Sequence, residues 1–390
     1  MQFVQRILRW LCAVGLLAVG VGVLYAVISS SPDAVNKDST QYWASGRLLL
    51  QHANPYDDEG MFRLEKEAGA PVTHAHVMFN PPTALFLALP LGLFAPRTAI
   101  FLWALMIVAC VVTSIRILWI MHGRRTDRLH LLAYVFAPVM ACITIGQVPP
   151  VELLGLVLFL KLNQTRPLLA GLSFSLLAIK PHLLLPFGLV ALIWAIKGRR
   201  YSFIGGVSLG LLAALCVPIY FDRQIFAHYL PVLRTANGYS HGMPNLSSLV
   251  HSLHPQAGYL QYLLAFSATC WAMWWFRRRQ NEWDWNDEGL LLIVVSVAAA
   301  PYSWFFDEAL VIPAILSGIY GCYDADKSLI SFGLLNGAAL ALAFFNVQLI
   351  TGAYIWTSTA WLVWFLYARS IHRLSDKAVY DSRLSTLESE

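Results

Sequence analysis

Charged residues are scarce in this 390-residue chain. Asp, Glu, Lys and Arg make up only 13% of it, and hydrophobic residues make up 58%, whereas a soluble domain carries about 25% charged residues. This composition is not that of a soluble globular protein. The net charge of +5 comes from basic residues that flank apolar runs and do not form one patch, so no nucleic-acid partner is expected.

Motifs for disulfides and metals are also lacking. The six cysteines lie in or beside apolar segments and none has CxxC spacing, which excludes a recognisable disulfide framework or thiolate metal site. The histidines form no HExxH motif. We therefore expect neither a metal nor a cofactor.

Long apolar runs recur from Ile7 to Tyr367, and many approach the roughly 20 residues that cross a bilayer. They predict an all-α polytopic membrane protein with about 12 transmembrane helices, forming a single domain over residues 1–375 with a polar cytoplasmic tail at 376–390. Two long outer loops cover residues 30–80 and 221–257. The predicted spans are 7–29, 98–121, 129–146, 149–163, 167–180, 183–197, 202–220, 258–276, 289–305, 307–321, 328–346 and 351–370.

The basic residues predict the orientation of these spans. Of the 27 Lys and Arg residues, 19 fall on one side of the alternating spans and 8 on the other. Because cytoplasmic loops carry the basic excess, both termini are expected in the cytoplasm and most polar clusters on the outer face. The apolar run 82–94 is short and rich in proline, and a full crossing would break the charge alternation. It is therefore interpreted as a re-entrant or interfacial helix.

Asp38 is the first candidate catalytic residue. It follows the first span and opens a predicted helix over Asp38–Gln51, where its carboxylate can remove a proton from an acceptor hydroxyl. The alternative is a helix cap, because Gln41 follows at capping-box spacing. Arg47, nine residues later, is turned through about 900° to the opposite side of this helix and is a candidate for phosphate or lipid headgroups.

A second group of candidates lies at outer turns between spans. Lys180 is a basic residue at an outer turn, where it can bind a lipid-linked phosphate or extend to headgroups. His182 adds a second donor. Gln147 follows a glycine in a proline-rich turn, and Asp307 can pair with Lys180, cap a helix or bind sugar hydroxyls.

Aromatic residues beside these groups suit sugar rings, although aromatic belts also line membrane interfaces. The candidate sugar or acceptor contacts are Tyr42, Trp43, Trp304 and His241. His74 and His76 remain equally open candidates.

Taken in order, the motifs resemble the GT87, or DUF2029, group of bacterial GT-C glycosyltransferases. The resemblance rests on Asp38 with Tyr42-Trp43-Ala44, Gly46, Asn54-Pro55-Tyr56, Phe79-Asn80-Pro81-Pro82, Gly146-Gln147, Lys180-Pro181-His182, and Pro301-Tyr302-Ser303 with Phe306-Asp307. Two positions depart from the usual pattern, since Asn80 stands where an aromatic residue commonly precedes Pro-Pro and Phe306 where a tyrosine is common.

The resemblance implies a GT-C fold in the inner membrane that transfers a hexose, often mannose, from a polyprenyl-phosphate donor to a lipid or glycan acceptor. It implies an extracytoplasmic site with Asp38 as catalytic base, and single-step displacement would invert the anomeric configuration. Two other classes remain open: a transporter or flippase of a lipid-linked or polar solute, and an assembly subunit in which Asp38 only caps a helix.

Overall fold

The computed structural model describes residues 20–23, 25–26, 28, 30, 32–35, 38–236, 245–253, 257–321, 325–345 and 351–370. All regular elements in these ranges are helical. The longer helices, numbered in chain order, are α1 Asp38–Leu50, α2 Asp58–Glu67, α3 Pro96–Met121, α4 Ala137–Ile145, α5 Pro149–Leu162, α6 Pro167–Phe174, α7 Leu185–Lys197, α8 Tyr201–Phe221, α9 Ile225–Ala236, α10 Leu246–Leu253, α11 Leu263–Arg279, α12 Glu288–Ala298, α13 Ile312–Gly321, α14 Ala325–Phe344 and α15, residues 357–370.

Three described helices are long and apolar enough to cross a membrane: Pro96–Met121, Tyr201–Phe221 and Lys327–Phe344. Shorter apolar helices cover Pro82–Leu93, Pro167–Ile179, Leu185–Lys197 and Glu288–Ala298. These segments place the chain among helical membrane proteins. The first expected span, 7–29, lies mostly outside the described residues.

Several expected spans differ from the helices that form. Those at 129–146, 167–180, 258–276 and 307–321 are each part α-helix and part 3-10 helix. The expected span 289–305 ends early, at Ala298. Pro301 explains this end, because proline lacks an N–H and disfavours the helical conformation of the residue before it.

The chain divides into two compact units. The first contains the described residues of Met1–Ala109 and Ala214–Val232, and the second those of Cys110–Ala213 and Leu233–Glu390. The boundaries fall within continuous helices.

In the first unit, α1 packs on a broken helix made of Pro82–Ala84, Leu85–Ala88 and Leu89–Leu93. Gly46 brings the two backbones together, since a Cβ atom at this position would overlap the carbonyl oxygen of Ala88. Trp43 Nε1 donates to Phe94 O at 3.1 Å, and Arg47 Nη1 donates to Gly92 O at 2.9 Å. The broken helix therefore fixes the position of α1.

The broken helix itself is too short to span a bilayer. Its 12 residues cover about 22 Å at the rises of α and 3-10 helices, against about 30 Å of hydrocarbon. This length agrees with the sequence-based interpretation of 82–94 as a segment that does not cross, while its re-entrant or interfacial placement stays a prediction.

In the second unit, aromatic side chains form the centre of a large apolar core. The Phe159 ring lies 5.0–6.3 Å, centroid to centroid, from five others: Phe174, Phe187, Trp194, Phe203 and Trp285. Glycines allow α6 and α8 to touch, because a Cβ atom at Gly171 would overlap Phe203 O and one at Gly206 would overlap Leu168 O. Small residues at close helix contacts are typical of membrane helices.

At a buried break between two helical segments, one side chain forms the hydrogen bonds that the backbone groups need. Phe136 adopts an extended conformation between the 3-10 helix Leu129–Val135 and α4. Asn336 on α14 accepts from Ala137 N–H at 2.8 Å and donates to Val135 O at 2.9 Å. The break thus leaves neither backbone group unsatisfied, which apolar surroundings require.

The contact at Gly46 predicts a large stability effect from one methyl group. Gly46→Ala should lower the melting temperature in detergent markedly, because α1 and the broken helix must separate to accommodate Cβ. Gly188→Ala is the matched control. Gly188 lies in α7 with open space around its Cβ position, so alanine should be neutral or slightly stabilising there. Equal melting temperatures for both variants would contradict the close approach.

Candidate functional site

Asp38 is the first residue of α1 and is half-buried. The helix Asp38–Leu50 agrees with the sequence prediction to within one residue. A carboxylate in the first turn interacts favourably with the helix dipole, so the capping role and the proposed base role place the same group at the same end of the helix. Residues 36–37, which precede Asp38, lie outside the described part of the chain.

The aromatic residues after Asp38 pack inside the first unit. Tyr42 is 1% exposed, stacks on Trp103 with ring centroids 4.5 Å apart and donates to Asn80 Oδ1 at 3.3 Å. Tyr56 O–H donates to the backbone oxygen of Asn80 at 3.1 Å. Trp43 is buried against Phe94. These contacts hold α1 in place, and a sugar contact by Tyr42 or Trp43 stays a prediction.

Lys180 and Asp307 form a buried ion pair in the second unit. Lys180 Nζ lies 2.7 Å from Asp307 Oδ1, with side-chain exposures of 11% and 1%. The same ammonium donates to Gln147 Oε1 at 3.3 Å and lies 5.1 Å from the centre of the Phe306 ring. Three sequence candidates are thus brought together from widely separated parts of the chain.

The turn before α5 positions Gln147. Gly146 ends α4 in the left-handed conformation, with φ 81°, and the N–H groups of Gly146 and Gln147 both donate to Cys142 O. Glycine adopts this conformation without strain. Pro149 and Pro150 then start α5, where their missing N–H groups carry no penalty. The turn expected from the sequence is confirmed, and its amide faces Lys180.

Asp307 performs two of the three roles that the sequence left open. One oxygen binds Lys180, and the other accepts from Trp304 N–H at 2.8 Å at the start of the 3-10 helix Phe305–Val311. The carboxylate therefore caps this helix while it pairs with the ammonium. Binding of sugar hydroxyls by Asp307 stays a prediction.

His182 lies two residues beyond Lys180 and stacks on Tyr302, with ring centroids 3.7 Å apart. Burial, followed by the charge of Lys180, lowers the pKa of His182 well below its usual value. The imidazole is therefore neutral at pH 7 and presents one N–H donor and one acceptor nitrogen. It adds a hydrogen-bonding group beside the ammonium without a second charge.

The remaining candidates are placed as follows. Arg47 is exposed, and its guanidinium is held by Gly92 O. Trp304 is half-buried with its ring 6.4 Å from that of Phe306. His241 lies outside the described residues. Asp38, Arg47, Tyr42 and Trp43 belong to the first unit, and Gln147, Lys180, His182, Trp304 and Asp307 to the second.

The sequence assigned no role to three further buried carboxyl groups, Glu65, Glu152 and Glu308. Glu152 accepts from Lys180 N–H at 3.1 Å, and its second oxygen is buried with no hydrogen-bond partner in the described chain. Glu308 accepts from Thr357 Oγ1 at 2.6 Å and Trp361 Nε1 at 2.9 Å. Glu65 is 1% exposed in the first unit. A usable signal existed for Glu152, which is the one acidic residue in the apolar run Pro149–Leu162.

The fold and the candidate site together define a class: a protein whose described elements are all helical, with bilayer-length apolar helices and a buried cation at a turn between apolar segments. A comparison with protein families then identifies the group. The model of glycosyltransferase family 87 matches residues 79–301, more than half of the chain, and the chain belongs to this family. No curated protein and no solved structure matches it.

Membership of glycosyltransferase family 87 confirms the resemblance seen in the sequence and identifies the general type of activity. The protein is a glycosyltransferase, which requires a sugar donor and an acceptor, in a membrane setting. The matched range contains Gln147, Lys180 and His182, while Asp38 and Asp307 lie outside it.

The buried pair predicts a non-additive stability effect. Lys180→Met should destabilise the protein by about 3 kcal/mol, because it leaves the Asp307 carboxylate buried without its cation. Adding Asp307→Asn should restore most of this loss, since the amide oxygen can still accept from Trp304 N–H. Melting temperatures of both single variants and the double variant test this. Additive losses would contradict a coupled pair.

Proposed function

We propose that the protein transfers a hexose, with mannose favoured by the family resemblance, from a polyprenyl-phosphate donor to a lipid or glycan acceptor on the extracytoplasmic face of a bacterial inner membrane. The reaction is a single displacement with inversion. Asp38 is the general base, and Lys180 stabilises the leaving phosphate. The GT-C type, about 12 spans and cytoplasmic termini belong to the same proposal.

The ammonium of Lys180 is the observation that carries this proposal. An ammonium has three N–H donors, and Asp307 and Gln147 accept from two of them. Both partners are themselves fixed, Asp307 by Trp304 N–H and Gln147 by the turn at Gly146. A cation held in a set orientation by its neighbours is suited to receive a further anionic oxygen without reorganisation.

The charge change of the reaction explains why such a cation matters. A sugar linked through a polyprenyl phosphate is a phosphodiester with one negative charge. As the bond to the anomeric carbon breaks, the phosphate gains a second negative charge. Because the phosphate carries more negative charge in the transition state than in the bound donor, Lys180 interacts more strongly with the transition state. This difference favours catalysis over tight binding. Asp307 neutralises part of the ammonium charge before the donor binds. The neutral His182 would add a hydrogen bond to the phosphate.

Asp38 would supply the base. Its carboxylate takes the proton of the acceptor hydroxyl while that oxygen forms a bond to the anomeric carbon, and the bond to the phosphate oxygen breaks. The placement of Asp38 on a helix fixed by Gly46, Trp43 and Arg47 supports this role, because a general base must be held in a set position.

Arg47, Tyr42, Trp43, Trp304 and His241 remain candidates for contacts to the donor or acceptor. Of these, Trp304 is half-buried, its backbone N–H donates to the cation's partner Asp307, and its ring lies 6.4 Å from that of Phe306. Aromatic faces beside hydrogen-bonding groups suit sugar rings, so Trp304 is the candidate that the geometry favours for a sugar contact.

One observation favours the transporter as a second candidate. Glu152 places a buried carboxyl with an unpartnered oxygen inside the apolar run of α5, next to Lys180. Ionisable groups in such positions mark ion or proton pathways in transporters. Movement of a lipid-linked sugar across liposomes without any transferred product would favour this class over the proposed enzyme.

The base is tested with two matched aspartates. Asp38→Asn should lower the rate of sugar transfer from a polyprenyl-phosphate hexose by about 10²–10⁴-fold, because the amide cannot accept the proton. Asp58→Asn is the control, since Asp58 is also the first residue of a helix but is exposed. Product is measured by mass spectrometry in nanodiscs. Equal transfer by an equally stable Asp38→Asn protein would exclude Asp38 as the base.

The phosphate role of Lys180 is tested in the variant that restores stability. Lys180→Met combined with Asp307→Asn should remain folded and lose at least about 10²-fold in kcat, the loss typical of one charge-stabilising donor. A melting-temperature scan confirms the folded state. Full kcat in this double variant would show that Lys180 serves only the fold.

A further inference from the structure

Glu65 is a buried carboxyl group that the proposed reaction does not use. It lies in α2 and is 1% exposed. Its Oε2 atom accepts from the His76 backbone N–H at 3.1 Å, whereas Oε1 is buried with no hydrogen-bond partner among the described residues. The nearest imidazole nitrogen, His76 Nδ1, lies 3.9 Å from Oε1.

This environment does not suit a carboxylate ion. A charged carboxylate needs several donors or a close cation when it leaves water, and Glu65 has one backbone N–H. Burial is the largest effect and raises the pKa of Glu65, the His76 backbone N–H and the charge of His74 lower it, and the charge of Asp38, the smallest of these effects, raises it; the resulting pKa is about 7. The titratable groups whose charges act on Glu65 are Asp38 on α1 and His74 on the following segment, and His76 of that segment lies beside it.

The packing of α1 on α2 explains why Asp38 acts on Glu65. The helices run antiparallel: a Cβ atom at Gly60 would meet Leu48 near the end of α1, and Ser45 Oγ donates to Met61 Sδ at 3.6 Å. Moving forward along α2 thus moves back along α1 towards its first residue, so Glu65 near the end of α2 approaches Asp38 at the start of α1.

We propose that Asp38 and Glu65 form a coupled carboxyl pair that shares one proton, with Glu65 protonated while Asp38 is the charged base. The functional meaning of the pair rests on the proposed role of Asp38. Glu65 is a positioning residue, because it acts on the reaction through Asp38 and not by contact with a sugar.

The coupling has a consequence for the proton that the reaction releases. Electrostatic coupling is reciprocal, so a negative charge on Glu65 favours the protonated form of Asp38. When Asp38 takes the acceptor proton, the pair holds two protons and no charge, and one proton must return to solvent. Solvent lies near the pair, because the neighbouring His76 ring, whose Nδ1 is 3.9 Å from Glu65 Oε1, has 44% of its side chain exposed.

Infrared spectroscopy of the full chain tests the pair without any donor or turnover. The carbonyl stretch of a protonated carboxyl is separate from the carboxylate bands and is followed from pH 4 to pH 9. In the wild type, a band that is absent in Glu65→Gln should titrate with a midpoint near 7. Glu67→Gln, an exposed change at the end of the same helix, should keep that band.

Asp38→Asn then tests the coupling. Removing the negative charge of Asp38 should move the midpoint of the Glu65 band to lower pH by about one unit, the coupling at which two groups titrate as a pair. An unchanged midpoint would overturn the pair, as would a wild-type band that titrates near 4.3, the usual glutamate value. If Glu65→Gln does not fold, the comparison of wild type with Asp38→Asn still decides between these outcomes.

The pH profile of transfer links the pair to the reaction. Wild type and Glu67→Gln should show an inflection in transfer rate near pH 7 that Glu65→Gln lacks, whereas a purely structural Glu65 would change the rate equally at every pH. A coupled pair in the infrared titration with full transfer by Asp38→Asn would refute the base and keep the pair. An inactive Asp38→Asn protein with an uncoupled Glu65 would refute the pair and keep the base.

Discussion

The second unit is organised around one electrostatic requirement: an ammonium in apolar surroundings must have a charged partner. Lys180 meets it with Asp307 at 2.7 Å, and the two residues are separated by more than a hundred positions in the chain. The pair joins the turn after the 3-10 helix Ser175–Ile179 to the start of the 3-10 helix Phe305–Val311, and Gln147 adds a third segment. Removing one partner would cost far more than the pair contributes, so the candidate site and the fold depend on the same interaction.

In the first unit, the Asp38 carboxylate lies on a short helix, α1, which is not one of the long apolar segments and must be held in place by other contacts. Here close backbone contact takes the place of an ion pair: Gly46 allows α1 to touch the broken helix, and side chains of α1 donate to carbonyls at the C-terminal end of that helix. Carbonyl groups at a helix end lack partners within the helix, so this segment can anchor α1 through hydrogen bonds. Asp38 and the buried Glu65 then lie at the same end of the α1–α2 pair.

Much of this arrangement was predictable from sequence, and the parts that were not have physical reasons. Apolar length predicted α3, α5 and α8, and the Gly146 turn followed from residue type alone. The early end of α12 could be predicted only by treating Pro301 as a helix terminator. The 3-10 segments have no distinct sequence signature. The Lys180–Asp307 pair was one of three alternatives for Asp307, because sequence gives residue types but not which distant segments meet. Glu65 was missed because its burial depends on the packing of α2, a helix of mostly polar residues in which Glu65 lies beside the buried Leu64.

In the proposed reaction, a sugar moves from a lipid phosphate to an acceptor in one displacement. The stereochemistry of the product tests this most directly. Wild-type protein in nanodiscs receives a β-linked polyprenyl-phosphate hexose and a total lipid and glycan extract, and NMR of the purified product gives the anomeric configuration of the new bond. A single displacement predicts an α-glycoside. A β-linked product, or sugar that crosses a liposome membrane still attached to its lipid with no new glycoside, would contradict the account.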